Sequence, residues 1–170
     1  IFRQAQKSLI VMNAHRVNRG EMPELKSVSS DFFFMRRQSE DAVAQTVRDL
    51  CATRLPKNMG IPASEIQVLT PTRKGAVGTA ELNNRLQEAL NPPSPEKKER
   101  QYGGFTFREG DRVMQIRNNY DIMWKKTDGS AVGTGIFNGD VGTIVSIDPS
   151  MEMLTVVFDD REAEYEFSQL

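Results

Sequence analysis

Cysteine occurs once in this 170-residue chain, at Cys51, which excludes an internal disulfide and a zinc site built from thiolates. Histidine also occurs once. With no second histidine, cysteine or acid cluster beside it, His15 reads as a hydrogen-bonded structural residue, and no metal site is expected. No apolar stretch approaches the roughly 18 residues of a membrane span, and no secretory leader is visible, so the expected setting is cytoplasmic and reducing. The phosphate-cradling pattern GxxxxGK[ST] is missing, as is an acidic strand end suited to Mg²⁺. The basic half lacks the carboxylate cluster that a self-contained nuclease would need. Strong net charge is missing too: a total of −1 provides no global field to draw in nucleic acid.

What is present is unevenly placed. Residues 1 to 37 hold seven basic side chains against three acids, whereas residues 139 to 170 hold eight acids against Arg161 alone. A phosphate chain is attracted to the first tract and repelled by the second. Hydrophobic residues make up 38%, enough for one core, and the length suits one domain with a small insertion. The chain starts at Ile1, already inside a motif, which points to a piece of a longer protein.

The first two thirds read as alternating α and β. Residues 4 to 18 predict a helix stopped by Gly20 and Pro23. The apolar run from Asp31 to Arg37 predicts a buried strand. Ser39 caps a helix with Glu40 and Asp41 in its first turn and Val43, Val47, Leu50 and Cys51 on one face; Pro56, Gly60 and Pro62 end it. Residues 66 to 69 predict a second strand. Thr79 caps a further helix, with Leu82, Leu86, Ala89 and Leu90 in one stripe. That order favours a parallel sheet with right-handed crossovers.

Residues 91 to 104, proline-rich and charged, predict an exposed connector. After it the period changes to two. Strands are predicted at 111 to 117, 140 to 147, 153 to 158 and 163 to 167, with turn sequences at 148 to 150 and 159 to 161. These make a small SH3-like barrel or meander. Trp124, Lys125 and Lys126 read as a loop carrying a ring and two charges.

Two segments suggest chemistry from residue type alone. Thr70, Pro71, Thr72, Arg73 and Lys74 follow a strand end, where open α/β sheets bind ligands. Their hydroxyls, cations and nearby backbone amides suit phosphate oxygens, with Gly75 and Gly78 allowing close approach. A plain strand-to-helix loop accounts for them equally well. Asn118, Asn119 and Tyr120, with Phe137, offer amides that can hydrogen-bond and rings that can stack, although core packing suits Phe137 better. Asn138-Gly139 suits a tight turn at positive φ.

The segment FRQAQKSLIVMNAHRVNRG, from Phe2 to Gly20, together with GDRVMQIRNNYD and FNGDVG, between Gly110 and Gly142, resembles the second motor lobe of RecD-like superfamily 1 DNA helicases, the exodeoxyribonuclease V alpha type. The resemblance implies a partial RecA-like parallel sheet, related to P-loop NTPases but without the P-loop, over residues 1 to 117, and an inserted SH3-like barrel over 118 to 170. It implies that Arg3 faces the γ-phosphate of ATP as an arginine finger, supported by Gln4, and that 70 to 74 and 118 to 120 contact single-stranded DNA. ATP and Mg²⁺ belong to the parent enzyme, an ATP-dependent 5′→3′ helicase. The absent first motor lobe and other exonuclease V subunits are the expected partners. The chain alone is expected to be inactive. The competing reading is a non-enzymatic SH3-like module that binds a peptide or a subunit; it requires several clustered aromatics.

Overall fold

The computed structural model describes residues 8 to 26 and 31 to 170. It comprises two compact units, residues 1–42 and 43–170.

In the first unit, helix α1 spans Leu9–Asn18. Gly20 stops it at φ +75°, while the Glu21 amide reaches back to the Arg16 carbonyl at 2.9 Å, satisfying a carbonyl the helix leaves open. Asn13 is the buried residue of this helix. Its side chain donates to the Glu24 carbonyl at 3.0 Å and accepts from the Glu24 amide at 2.7 Å, folding the chain after the helix back against it. Residues 32 to 36 have no regular structure, and Phe33 and Phe34 are exposed.

Helix α2, Glu40–Asp49, begins as its sequence demands: the Ser39 hydroxyl accepts the Ala42 amide at 3.2 Å. It does not stop at Pro56. The run passes through a π-helical turn, Leu50–Arg54, into α3, Leu55–Met59. A proline lacks an amide and crowds the carbonyl four residues back, and the wider turn just before it relieves both problems. Gly60, at φ +67°, is the actual terminator. Cys51 lies buried in the wide turn, where desolvation pushes its thiol up from the ordinary value. Helix α4, Thr79–Leu90, packs against this turn and buries Leu82.

All strands among the described residues follow position 98. β1 (Glu99–Tyr102) and β2 (Phe105–Arg108) form a hairpin turned by Gly103 and Gly104, both at positive φ. β3 (Arg112–Met114), β4 (Asn119–Lys126), β5 (Val132–Ile136), β6 (Val141–Asp148), β7 (Met153–Phe158) and β8 (Arg161–Glu166) make one antiparallel sheet in the order β3-β6-β7-β8-β4-β5. Period two governs its core. Leu154, Val156 and Phe158 of β7 face inward, as do Ala163 and Tyr165 of β8 and Phe167 beyond it. A register shift between Ile144 and Ser146 resets the alternation in β6, so Ile144 and Ile147 both point inward.

Several sequence expectations are corrected here. Residues 31 to 37 and 66 to 69 are not strands, and no parallel pair occurs among the described residues. An apolar run becomes a strand only when a neighbouring strand takes up its amides and carbonyls, and no strand pairs with either segment among the described residues. The sheet is not a closed barrel, because edge strands β3 and β5 do not pair with each other. The connector at 91 to 104 contains β1. The loop at 124 to 126 is the end of β4, where Trp124 pairs with Gly133 and lays its ring over it.

Candidate nucleic-acid interface

The loop before α4 is closed by its own hydrogen bonds. The Thr70 hydroxyl donates to the Val77 carbonyl at 2.7 Å, and the Thr72 hydroxyl to the Lys74 carbonyl at 3.2 Å. The first helical amides are also taken: Thr79 donates to Thr72 O at 3.1 Å and Ala80 to Arg73 O at 3.5 Å. The expected capture of phosphate by hydroxyls and helix amides is therefore weakened, since those donors are spent inside the loop. Gly78 is required by packing. A Cβ there would sit 2.6 Å from the Lys74 carbonyl carbon and oxygen and 2.7 Å from the Arg73 carbonyl carbon. What the loop presents outward is Pro71, Arg73 and Lys74, all exposed. No carboxylate pairs with either cation among the described residues.

A second corner brings together two of the sequence-predicted residues and one rated as core. Tyr120 is 65% exposed and Phe137 41% exposed; their rings meet edge to face at 5.6 Å. Asn118 fixes the pair, donating to the Tyr120 hydroxyl at 3.1 Å and accepting the Asn138 amide at 2.9 Å. Asn119 is occupied locally, its oxygen accepting the Ile122 amide at 3.1 Å and the Asp121 amide at 3.3 Å. The two asparagines thus build the corner, leaving Tyr120 and Phe137 as its outward face. The turn beneath is closed by hydrogen bonds. Asp140 accepts the Phe137 amide at 3.0 Å, and Gly139, at φ +96°, donates to Gln115 O at 2.8 Å. Tyr165 closes the inner side by donating to Gln115 Oε1 at 2.8 Å; burial first, and the Asp140 charge second, push its phenol up to about 12.

The acidic face is partly neutralised. Lys125 pairs with Glu162 at 2.9 Å and Lys126 with Asp160 at 2.7 Å. The two lysines beside Trp124 are therefore engaged by acids, and Trp124 itself packs on the core. Arg3 and Gln4 lie outside the described residues. His15 is exposed in the last turn of α1, where its carbonyl accepts the Arg19 amide at 3.2 Å.

Sequence reasoning missed the residues that join α4 to the sheet. Asp111 accepts Asn91 Nδ2 at 2.7 Å on one oxygen, and Gln87 Nε2 at 2.6 Å with the Arg108 amide at 2.8 Å on the other. Arg108, buried, donates to the Asn91 carbonyl at 2.6 Å and to Glu99 at 2.5 Å, setting a cation at the C-terminal end of α4. Glu109 accepts the Ile147 amide at 2.9 Å and the Lys98 amide at 3.0 Å. The available signal was an arginine among the hairpin aromatics (Phe105 to Arg108), a position that buries a charge only when partners wait for it.

Residues 82–158 match the family described as the SH3 domain of ATP-dependent RecD-like DNA helicases, a span that runs from within α4 to the end of β7. Over its whole length the chain is 31% identical to the ATP-dependent RecD2 DNA helicase of Deinococcus radiodurans, spanning 20% of that protein. The chain is thus similar over its whole length to a segment of a RecD-like helicase, and residues 82–158 resemble the SH3 domain of that family.

Proposed function

We propose that this chain supplies the single-stranded DNA grip of an ATP-dependent helicase motor. Its second-lobe residues are expected over 1 to 117, and a β insertion over 118 to 170. The observation that carries the reading is the Tyr120–Phe137 corner: two exposed rings held in place by a buttressing amide, in a domain whose family is that of DNA helicases. A base can stack on such a surface whatever its identity. The uncommitted cations Arg73 and Lys74 add backbone attraction that is sensitive to salt. Asn118 and Asn119 act by shaping the corner, and Thr70, Pro71 and Thr72 by shaping the loop.

For ATP, Arg3 and Gln4 are proposed to reach the triphosphate in the parent enzyme, as the motif that holds them implies. The peptide-binding alternative is disfavoured. Of the aromatics that would line its groove, Phe158, Tyr165 and Phe167 are buried in the core.

The test is titration of a labelled oligothymidine of about 16 nucleotides at several salt concentrations. Arg73→Ala or Lys74→Ala should each flatten the slope of log affinity against log salt by about 0.7. Tyr120→Ala should cost about 1–3 kcal/mol with the slope unchanged. No binding at low salt, or full affinity in Tyr120→Ala, refutes the reading.

A further inference from the structure

The tripeptide Gly110-Asp111-Arg112 lies outside both proposed contact surfaces. It instead ties together three parts of unit 43–170. The Gly110 amide donates to Ile144 O of β6 at 2.8 Å, and its φ of +91° brings the backbone so close to α4 that a Cβ would lie 3.1 Å from Asn91 Oδ1. Asp111 holds Gln87 in the last turn of α4 and Asn91, which caps that end of the helix. Arg112 donates from Nη1 to Ile66 O at 2.9 Å, reaching the segment that leads into the basic loop.

Helix α4 is tied to the basic loop at its start and to the strand that leads toward Tyr120 at its end. Its first amides are bonded to Thr72 and Arg73, and its last turn is bonded to Asp111. Its 12 residues make a strut about 18 Å long. We infer that Gly110-Asp111-Arg112 is a brace that fixes the separation of the basic loop and the Tyr120–Phe137 corner, with Asp111 the positioning residue, so that one DNA strand engages both surfaces at once. This rests on the reading of those surfaces as strand contacts. Two rigidly spaced contacts bind a strand that spans them far more tightly than one that reaches only one; a loose joint forfeits that gain because the linker no longer matches the span.

The sign of the effect separates the brace from simple electrostatics. Asp111 is an acid, so its removal makes the surface less repulsive to phosphate, and charge alone predicts tighter binding. The brace predicts weaker binding, and only for long strands. The experiment compares oligothymidines of about 4 and about 16 nucleotides on the 170-residue chain, its Asp111→Ala variant and its Asp111→Asn variant, which keeps shape and one acceptor oxygen. Hydrogen–deuterium exchange of α4 and the β1–β2 hairpin is measured without DNA.

The expected result is that the ratio of long- to short-strand affinity falls about tenfold or more in Asp111→Ala. It falls less in Asp111→Asn, and the short-strand affinity is unchanged in both. Exchange should quicken at residues 87 to 91 and 106 to 108 while β7 and β8 stay protected. An unchanged ratio, or tighter binding at both lengths, overturns the inference. If the parent chain binds neither strand, the strand-contact reading has failed. The exchange result then judges the joint by itself, with unaltered protection at α4 overturning it. Should Asp111→Ala not fold, the Asp111→Asn comparison decides by the same criteria.

Discussion

Two glycines in the segment from Phe137 to Gly142 do different jobs, and alanine substitution separates them. Gly139 sits at φ +96°, and a Cβ added there would have nothing within 4 Å, so Gly139→Ala meets only backbone strain. Strain of that kind costs about 1–2 kcal/mol. Gly142 has ordinary backbone but no room: a Cβ would stand 2.6 Å from Val156 Cγ1, 2.7 Å from the Val157 carbonyl oxygen and 2.8 Å from Phe158 Cδ1. Ordinary contact begins near 3.4 Å, so β6 must retreat from β7 by several tenths of an ångström. The carbonyl belongs to the sheet, and Val156 and Phe158 are 2% exposed, so none of the three yields freely. Retreat also strains the pairing of Gly142 with Val113 on the other side of β6. Overpacking of this kind costs about 2–3 kcal/mol, or roughly 5 to 10 °C in Tm for a chain of this size. The assay is urea unfolding followed through Trp124, the single tryptophan, which packs against this core. The midpoint should fall more in Gly142→Ala than in Gly139→Ala, with the denaturant slope unchanged in both. Wild-type stability in Gly142→Ala, or the reverse order of the two variants, would show that close packing of β6 on β7 is not what holds this position to glycine.

Buried polar groups supply two more tests. Tyr165 keeps its proton to a higher pH folded than unfolded, its phenol rising from 10.0 to about 12. The stability this confers is full below pH 10 and is lost as pH rises through about 12, a change of about 2–3 kcal/mol. Alkaline unfolding of Tyr165→Phe should show a shallower decline across that window, whereas identical pH curves would discount the buried phenol. Asn13→Ala removes both bonds to the Glu24 backbone and should cost about 1–2 kcal/mol locally, read as faster exchange of the Glu24 amide. Unaltered exchange would mean that residues 21 to 26 are held by something else.

The elements legible in the sequence are those whose cause is local. The Ser39 cap needs only the next turn of chain, and the Leu82 stripe needs only helical spacing. The alternation in residues 153 to 158 and 163 to 167 marks an inward face whatever its neighbours, and Asn138-Gly139 declares a turn that demands positive φ. The illegible elements have distant causes. In β5 the sequence Val132 to Ile136 carries two glycines that erase the alternation, and it becomes a strand because β4 pairs with it while the Trp124 ring covers Gly133. The hairpin of β1 and β2 is charged and reads as loop; its cross-strand bonds and its attachment to α4 make it structure. Residues 31 to 37 and 66 to 69 have strand composition, but composition cannot provide a partner.

Sequence alone therefore determined the inward face of residues 153 to 158 and 163 to 167, the Ser39 cap, and, through its motifs, the helicase family to which the segment is similar. Tertiary structure alone decided that Asn118 and Asn119 are spent on shaping their corner, that Thr70 and Thr72 are closed into their own loop, and that Phe137 stands beside Tyr120 at the surface. It also decided that Asp111 joins residues 20 and 24 positions away. The physical reason is the same throughout. A side chain's propensity is set by its own chemistry, whereas the availability of its hydrogen bonds is set by whatever the fold brings to meet it.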